Sequence, residues 1–179
     1  MRIVGGSLGG RVLRAPQGAA TRPTSEKVRE AIFNILPDVA GAHVLDLFAG
    51  SGALGIEALS RAAAHVTFVD FGKLPLGVIR GNLKELGLEG RATVVSSDAV
   101  AAAARPGPAP WDLVFIDPPY ASDLAIRAAQ ALAHLAEGAT IVIEHDRRHA
   151  PPDHLGSLVR SDERRYGDTL VSFYQRGPT

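Results

Sequence analysis

Hydrophobic and polar positions follow two alternating periods along most of this chain of 179 residues. Short apolar runs, typical of buried strands, are separated by stretches in which apolar residues recur at helical spacing. Strands that are apolar on both faces and alternate with helices form a parallel sheet covered on both sides, so we predict an α/β fold. The strands are predicted at 43–48, 65–70, 92–97, 112–117 and 139–145, and the helices at 52–63, 74–86, 98–104 and 123–136.

The two ends of the chain depart from this alternation. Residues 2–4 and 11–14 are β-prone and flank a glycine-rich turn, which predicts a hairpin. An amphipathic helix should follow, with Thr24 or Ser25 as its cap and Pro37 at its end. At the other end, two β-prone stretches predict an antiparallel hairpin that closes the sheet, at 157–164 and 169–175.

Composition excludes several classes of protein. The chain has no cysteine, which excludes a disulfide scaffold, a cysteine-ligated metal site and thiol catalysis. No apolar run approaches the roughly 20 residues that span a bilayer, and the first residues do not form a signal peptide. We expect a cytoplasmic monomer without a metal, divided into a basic hairpin extension at 1–20 and one main domain at 21–179.

Charge is distributed unevenly, although the chain as a whole has a net charge of zero. Residues 1–30 contain six lysine and arginine residues and two glutamates, which gives this segment a net charge of +4. The remaining residues have a net charge of −4. A basic arm on a mildly acidic body favours a polyanionic partner. A solvated polar terminus is the alternative interpretation.

A glycine-rich loop follows the first predicted strand of the sheet and opens a helix. Residues 50–55 match the spacing G-x-G-x-x-G, and Asp70 lies 20 residues after Gly50. This arrangement is typical of nucleotide-binding sheets, whose ligands bind beyond the carboxyl ends of the strands. The candidate chemistry is therefore expected at that edge.

The charge of this loop distinguishes its candidate ligands. The Asp46 carboxylate would repel the pyrophosphate of a dinucleotide but attract the ammonium and sulfonium groups of S-adenosylmethionine. Gly50 and Gly52 would let the backbone approach the ligand closely. Asp70 is placed to accept from ribose hydroxyls and Asp98 from the adenine amino group, although each acid alone would also suit a cap or a surface position. We therefore predict S-adenosylmethionine as the cofactor.

The fourth predicted strand ends in Asp117-Pro118-Pro119-Tyr120. The amino group of a nucleobase is a poor nucleophile, because its lone pair is delocalised into the ring. Acceptors at the Asp117 carboxylate and the Pro118 carbonyl would turn that lone pair toward an electrophile, while the prolines fix the backbone and Tyr120 stacks on a flipped base. This order of residues predicts methyl transfer to an exocyclic amino group, with an ionised Asp117 stabilising the positive charge that develops on nitrogen.

Three alternatives remain open from the residues alone. The same motif would serve N6-adenine methylation of DNA or RNA, although no added domain is present to recognise a duplex. An NAD-dependent oxidoreductase would use the loop at 50–55 but would leave Asp117-Pro118-Pro119-Tyr120 unexplained. A catalytically silent RNA-binding factor would function without Asp117.

Several segments together resemble one known family. They are RIVGG at 2–6, RPTSEKVREAIFNIL at 22–36, DLFAGSGALGIEALSRAA at 46–63, DPPY at 117–120 and YGDT at 166–169. With these segments the chain resembles the RsmD family of 16S rRNA (guanine-N2)-methyltransferases from about residue 2 to residue 175. One departure is visible, since family members usually carry acid-x-acid after the second strand, with Glu first. Here Asp70-Phe71-Gly72 keeps only the first acid, as the shorter Asp.

The resemblance implies a class I methyltransferase fold, which is a Rossmann-like, mostly parallel sheet of seven strands with an antiparallel C-terminal hairpin. It also implies N2-methylation of one guanine in 16S rRNA, in an assembling 30S particle, with S-adenosylmethionine as donor. The catalytic motif would be residues 117–120, and the arm would reach the RNA backbone through Arg2, Arg11 and Arg14. The cofactor-binding residues would be Arg22, Pro23, Thr24, Asp46, Phe48, Gly50, Ser51, Gly52, Asp70, Asp98 and Ala99.

Overall fold

One sheet of eight strands organises the computed structural model, which describes residues 1–17, 25–119 and 122–178. The strands are β1 (His43–Leu47), β2 (His65–Asp70), β3 (Ala92–Ser96), β4 (Leu113–Ile116), β5 (Thr140–Asp146), β6 (His154–Leu155), β7 (Leu158–Tyr166) and β8 (Thr169–Arg176). Their order across the sheet is β3-β2-β1-β4-β5-β8-β7-β6. The strands β1 to β5 pair in parallel, whereas β8, β7 and β6 add antiparallel pairs.

The helices cover both faces of this sheet. They are α1 (Glu26–Ile35), α2 (Ala53–Ser60), α3 (Lys73–Leu86), α4 (Ala99–Ala103) and α5 (Leu124–Leu132), with 3-10 turns at Glu89–Arg91 and Ala133–Leu135. Helices α1, α2 and α3 contribute to one hydrophobic cluster, and α4 and α5 contribute to a second. Side chains along each strand alternate between these clusters, as both faces of a covered sheet require. None of the described helices has the length and apolar character that crossing a membrane requires.

The predicted fold class is confirmed, and the five predicted parallel strands match the structure to within one residue at each end. Helices α2 and α5 end three and four residues earlier than predicted. Helix α2 ends before residue 63 because Ala62 adopts the left-handed conformation, with φ of 71°. The helix predicted at 123–136 becomes α5 followed by a 3-10 turn. The prediction of seven strands missed β6, a two-residue strand at the edge of the sheet.

Helix α1 begins where the sequence provides a cap. The Ser25 hydroxyl accepts a hydrogen bond from the Val28 N–H at 3.2 Å, which satisfies one of the free donors of the first turn. The helix ends one residue before Leu36, whose backbone is extended ahead of Pro37. Thr24, the other predicted cap, lies outside the described residues.

Residues 1–14, called the arm below, fold back on themselves. Instead of the two predicted strands, a single antiparallel bridge joins Arg2 to Val12, with backbone hydrogen bonds on both sides of it. Ile3 and Leu13 are buried in the same cluster as α1 and α2. The arm is therefore packed against the body of the protein.

A buried carboxylate on α2 fastens this arm. Glu57 is fully buried and accepts hydrogen bonds from the N–H groups of Val4 and Gly5, at 2.9 and 2.8 Å. Its oxygens also accept from Nε of Arg29 on α1, at 3.3 Å, and from Nε of Arg61, at 3.1 Å. Because Arg29 is completely buried, its charge balances Glu57 and adds nothing to the basic surface of the arm.

Candidate active site

The loop between β1 and α2 has a strongly turned backbone. Phe48, Gly50 and Gly52 all have positive φ values, of 57°, 58° and 80°. Glycine adopts this conformation freely, whereas for a residue with a side chain it costs about 1–3 kcal/mol. Phe48 is therefore a strained position beside the glycines. This strained residue lies between the end of β1 and the start of α2.

The glycines of this loop meet different constraints. A Cβ on Gly55 would lie 2.3 Å from the Phe68 ring, so α2 packs against β2 at a distance that only glycine permits. A Cβ on Gly52 would lie 3.3 Å from Ile79. At Gly50 the nearest atom would be 4.0 Å away. The space beside Gly50 is thus open, which fits a ligand that lies against the loop.

Asp70, at the end of β2, holds the loop in place. Its Oδ2 accepts a hydrogen bond from the Gly50 N–H at 2.9 Å, and its Oδ1 accepts from the Gly72 N–H at 2.9 Å. Each carboxylate oxygen has a second lone pair, so Asp70 retains the capacity to accept from ribose hydroxyls. The predicted relation between the loop and an acid 20 residues later is therefore a direct contact in the structure.

Phe71 is a candidate residue that the sequence patterns did not single out. Its side chain follows Asp70 and is 79% exposed, and Leu74, at the start of α3, is 70% exposed. Large apolar side chains with this exposure mark surfaces that other molecules cover. The exposure could not be inferred from the sequence, in which Phe71 is one more apolar residue that only Asp70 separates from the apolar residues of β2.

Asp46 is buried within β1 rather than presented at the surface. Its Oδ2 accepts a hydrogen bond from the Gly55 N–H at 3.0 Å. Burial is the largest cause of a raised pKa at Asp46; the Gly55 N–H opposes the rise, the nearby charge of Asp70 adds to it, and the resulting pKa is about 8. Asp46 is therefore largely protonated at neutral pH, and the attraction for a cation expected from its sequence position requires release of that proton.

Asp98 and Ala99 lie at the start of α4, beyond the end of β3. The exposed Asp98 caps the helix, and its Oδ1 accepts from the Ala101 N–H at 2.8 Å. Ala99 is the first residue of α4 and is buried. The structure thus shows the capping role that the sequence left open for Asp98, at the edge where the ligand is expected.

A buried asparagine on α3 joins the arm to the loop. The Asn82 Oδ1 accepts from the Arg14 N–H at 2.9 Å, and its Nδ2 donates to the Arg14 carbonyl at 3.0 Å. The same Nδ2 donates to the carbonyl of Ser51 at 3.2 Å. Sequence reasoning missed Asn82, because its partners are 68 and 31 residues away.

Asp117 is the first residue after β4, which lies beside β1. In the register of this pair, Asp46 is opposite Phe115, so Asp117 and Asp46 share a face and are offset by two residues, or roughly 7 Å along the strands. Asp117 and Pro118 are half-buried and Pro119 is exposed. Tyr120, like Arg22, Pro23 and Thr24 of the predicted cofactor set, lies outside the described residues.

The three arginines predicted to contact RNA are exposed on the arm. Arg2 donates from Nη1 to the Gly10 carbonyl at 2.8 Å, and Arg14 forms an exposed ion pair with Glu85 on α3 at 2.8 Å. An open groove of about 430 Å³ runs between the arm and α3, lined by Gly10, Arg11, Val12, Arg14, Glu85 and Leu86. Among the residues that the structure describes, no group of three or more histidine or acidic side chains is arranged to hold a metal ion.

The chain is similar to known proteins over almost its whole length. A family model described as "Conserved hypothetical protein 95" matches residues 1–175. The Escherichia coli protein named ribosomal RNA small subunit methyltransferase D is 37% identical, over 98% of this chain and 90% of its own length. YlbH from Bacillus subtilis is 42% identical, over 98% of this chain and 99% of its own. The solved structure of yhhF from Escherichia coli matches with a TM-score of 0.88 and 35% identity, covering 100% of this chain and 99% of that one.

Proposed function

This chain belongs to the RsmD family, and on that premise we propose that it is an rRNA methyltransferase that methylates the exocyclic N2 of one guanine in 16S rRNA. The observation that carries the proposal is the neighbourhood of the glycine loop and Asp117. The loop leaves β1 and Asp117 follows β4, and these are adjacent parallel strands with a common carboxyl edge. A donor held against the loop would therefore lie beside a base held at Asp117.

The residues around the loop fit S-adenosylmethionine. This molecule supplies a methyl group made electrophilic by a positively charged sulfur. The open space at Gly50 admits a ligand, Asp70 can accept from ribose hydroxyls, and the exposed Phe71 offers its ring to the adenine. Asp46, once deprotonated, would balance the cationic end of the ligand. Phe48, Ser51, Gly52, Asp98 and Ala99 complete the proposed set, together with Arg22, Pro23 and Thr24.

The motif at the end of β4 would prepare the base. The Asp117 carboxylate and the Pro118 carbonyl accept the N–H bonds of the amino group, which directs the nitrogen lone pair out of the ring. Proline fixes φ, so these acceptors keep their positions. Such positioning can supply roughly 7–11 kcal/mol of the barrier reduction. No strong base is required before transfer, because the nitrogen becomes acidic only after it has been methylated.

The arm supplies the contact with the rRNA backbone in this proposal. Arg2, Arg11 and Arg14 are exposed, and the groove beside α3 adjoins two of them. Positive side chains that neutralise phosphates give affinity without reading sequence. Selection of one nucleotide would then depend on the shape of the rRNA, within an assembling 30S particle, and on the base pocket.

Transfer of a labelled methyl group tests the proposal. Tritiated S-adenosylmethionine is incubated with the protein and with 30S particles, or free 16S rRNA, from a strain that lacks this enzyme. The RNA is then digested and its nucleosides are separated. Label in N2-methylguanosine at one position is expected. Label only in N6-methyladenine, or heat of binding with NADH and none with S-adenosylhomocysteine, would contradict the proposal.

A further inference from the structure

Glu144 lies next to Asp117 at the carboxyl edge of the sheet. The last paired residues of β4 and β5 are Ile116 and Ile143, so Asp117 and Glu144 are the next residues on two adjacent parallel strands. Side chains alternate along a strand, which assigns both acids to the face that packs against α1 and α2. The spacing of neighbouring strands brings their Cα atoms to about 5 Å.

Glu144 is an acidic residue that directly follows a buried apolar segment of β5. β5 is apolar and buried from Ile141 to Ile143, and Glu144 is the first half-buried residue after that run. Glu144 and Asp117 both interact with other groups of the chain. A base that enters the site would either replace these interactions or form hydrogen bonds in addition to them. Two carboxylates on neighbouring strands repel each other, and donors placed between them relieve that repulsion.

Guanine and adenine differ in the atom that adjoins the amino group. In guanine, the N2 amino group is next to N1–H, which is a second donor. In adenine, the N6 amino group is next to an unprotonated N1, which is an acceptor. Two neighbouring carboxylates satisfy the adjacent donors of guanine, whereas they leave the N1 of adenine facing another acceptor, at the cost of an unsatisfied polar group.

We propose that Glu144 accepts the N1–H of the target guanine while Asp117 accepts from its amino group, and that Glu144 thereby selects guanine over adenine. No bond is made or broken at Glu144, which binds and orients the base and determines specificity. This inference rests on the proposed function, because it presumes a guanine at Asp117.

A change of base at the methylated position tests the inference. The substrates are 30S particles reconstituted with guanosine or with 2-aminopurine riboside at the nucleotide that the wild-type protein methylates. 2-Aminopurine keeps the amino group and replaces N1–H by an acceptor. The wild-type protein should prefer guanosine in kcat/KM by on the order of tenfold or more. Glu144→Gln carries an amide that either accepts from N1–H or donates to N1, so its ratio should approach one.

Two further variants distinguish a role of Glu144 in base selection from a purely structural role. Glu137→Gln makes the same chemical change at a 73% exposed side chain before β5, and it should keep the wild-type ratio. Glu144→Asp retains the charge but withdraws the carboxylate by one methylene, and it should lower the ratio even where Glu144→Gln folds poorly. Equal losses on both substrates in the two Glu144 variants would show a structural role and overturn the inference. Failure of the wild-type protein to methylate guanosine would contradict the proposed function instead.

Discussion

The Asn82 side chain donates a hydrogen bond to the carbonyl oxygen of Ser51, 3.2 Å away, and so connects α3 to the glycine loop. The same side chain pairs with both backbone groups of Arg14. The arm and the loop are therefore held by one buried amide. A change in the position of either would be transmitted to the other.

Replacement of Asn82 should weaken both connections. Asn82→Ala leaves the partly buried Arg14 backbone groups without their partner, which costs about 1–3 kcal/mol for each group that water does not reach. We expect a lower free energy of unfolding in urea and weaker binding of S-adenosylhomocysteine by calorimetry. Gln130→Ala, which removes a side-chain amide at an exposed position of α5, is the control. Wild-type binding by a folded Asn82→Ala variant would show that the loop does not depend on this contact.

The raised pKa of Asp46 predicts a specific dependence of stability on pH. The folded protein retains this proton up to about pH 8, whereas the unfolded chain releases it near its ordinary value of 3.8. The contribution of Asp46 to stability is thus fully present below about pH 4, declines as pH rises, and is lost above about pH 8.

Asp46→Asn keeps the acceptor for the Gly55 N–H and removes the titration. Its free energy of unfolding, relative to the wild-type protein, should rise between pH 4 and pH 8 by at most roughly 5 kcal/mol. Urea unfolding across this range measures the difference. Asp98→Asn, which exchanges one good helix cap for another, is the control. Parallel pH profiles for Asp46→Asn and the wild-type protein would contradict the expectation.

Removal of the Asp117 carboxylate should separate methyl transfer from cofactor binding. Asp117→Ala lacks the acceptor for the amino group and is expected to lose methyl transfer by about 10²–10³-fold or more, with binding of S-adenosylhomocysteine largely intact. Asp112→Ala, at the opposite end of the same strand, should retain transfer, although it loses a hydrogen bond to the His43 N–H. Full methyl transfer by Asp117→Ala would contradict the role of this carboxylate. Loss of transfer with unchanged cellular function would instead favour the catalytically silent RNA-binding factor.

The arginines of the arm should determine how RNA binding responds to salt. Replacing Arg11 and Arg14 by Gln removes two exposed charges beside the groove. The plot of log affinity against log salt should flatten by about 0.7–0.9 for each phosphate that the arm no longer neutralises. Arg105→Gln, which removes an exposed charge between α4 and β4, should keep the wild-type slope. If the doubly substituted arm also keeps that slope, the arm does not contact the RNA backbone.

The parallel core was predictable because its information is local. Each strand from β1 to β5 is a mainly apolar run bounded by turn residues or helical segments, so its predicted ends agree with the structure to within one residue. The glycine loop and Asp117-Pro118 were visible for the same reason, as short motifs at strand ends. Their shared edge follows from the rule that parallel strands align their carboxyl ends.

The remaining features depend on contacts between distant segments. Glu57 is a single acid within a mainly apolar helical segment, and nothing local in the sequence shows that it accepts hydrogen bonds from an arm more than 50 residues earlier. The pKa of Asp46 depends on its depth in the sheet, which the strand pattern does not reveal. The edge strand β6 has two residues and therefore no period to detect.

The attachment of the arm through Glu57 has a consequence for how a target nucleotide would be chosen. Two backbone N–H groups of the arm donate to the Glu57 carboxylate, which is buried between α1 and α2. The arm therefore cannot move independently of the rest of the protein. The distance between Asp117 and any phosphate that the arm contacts is then fixed. The protein would then select its target by geometry. Only a nucleotide at the matching distance from the bound phosphate in the folded RNA would reach Asp117.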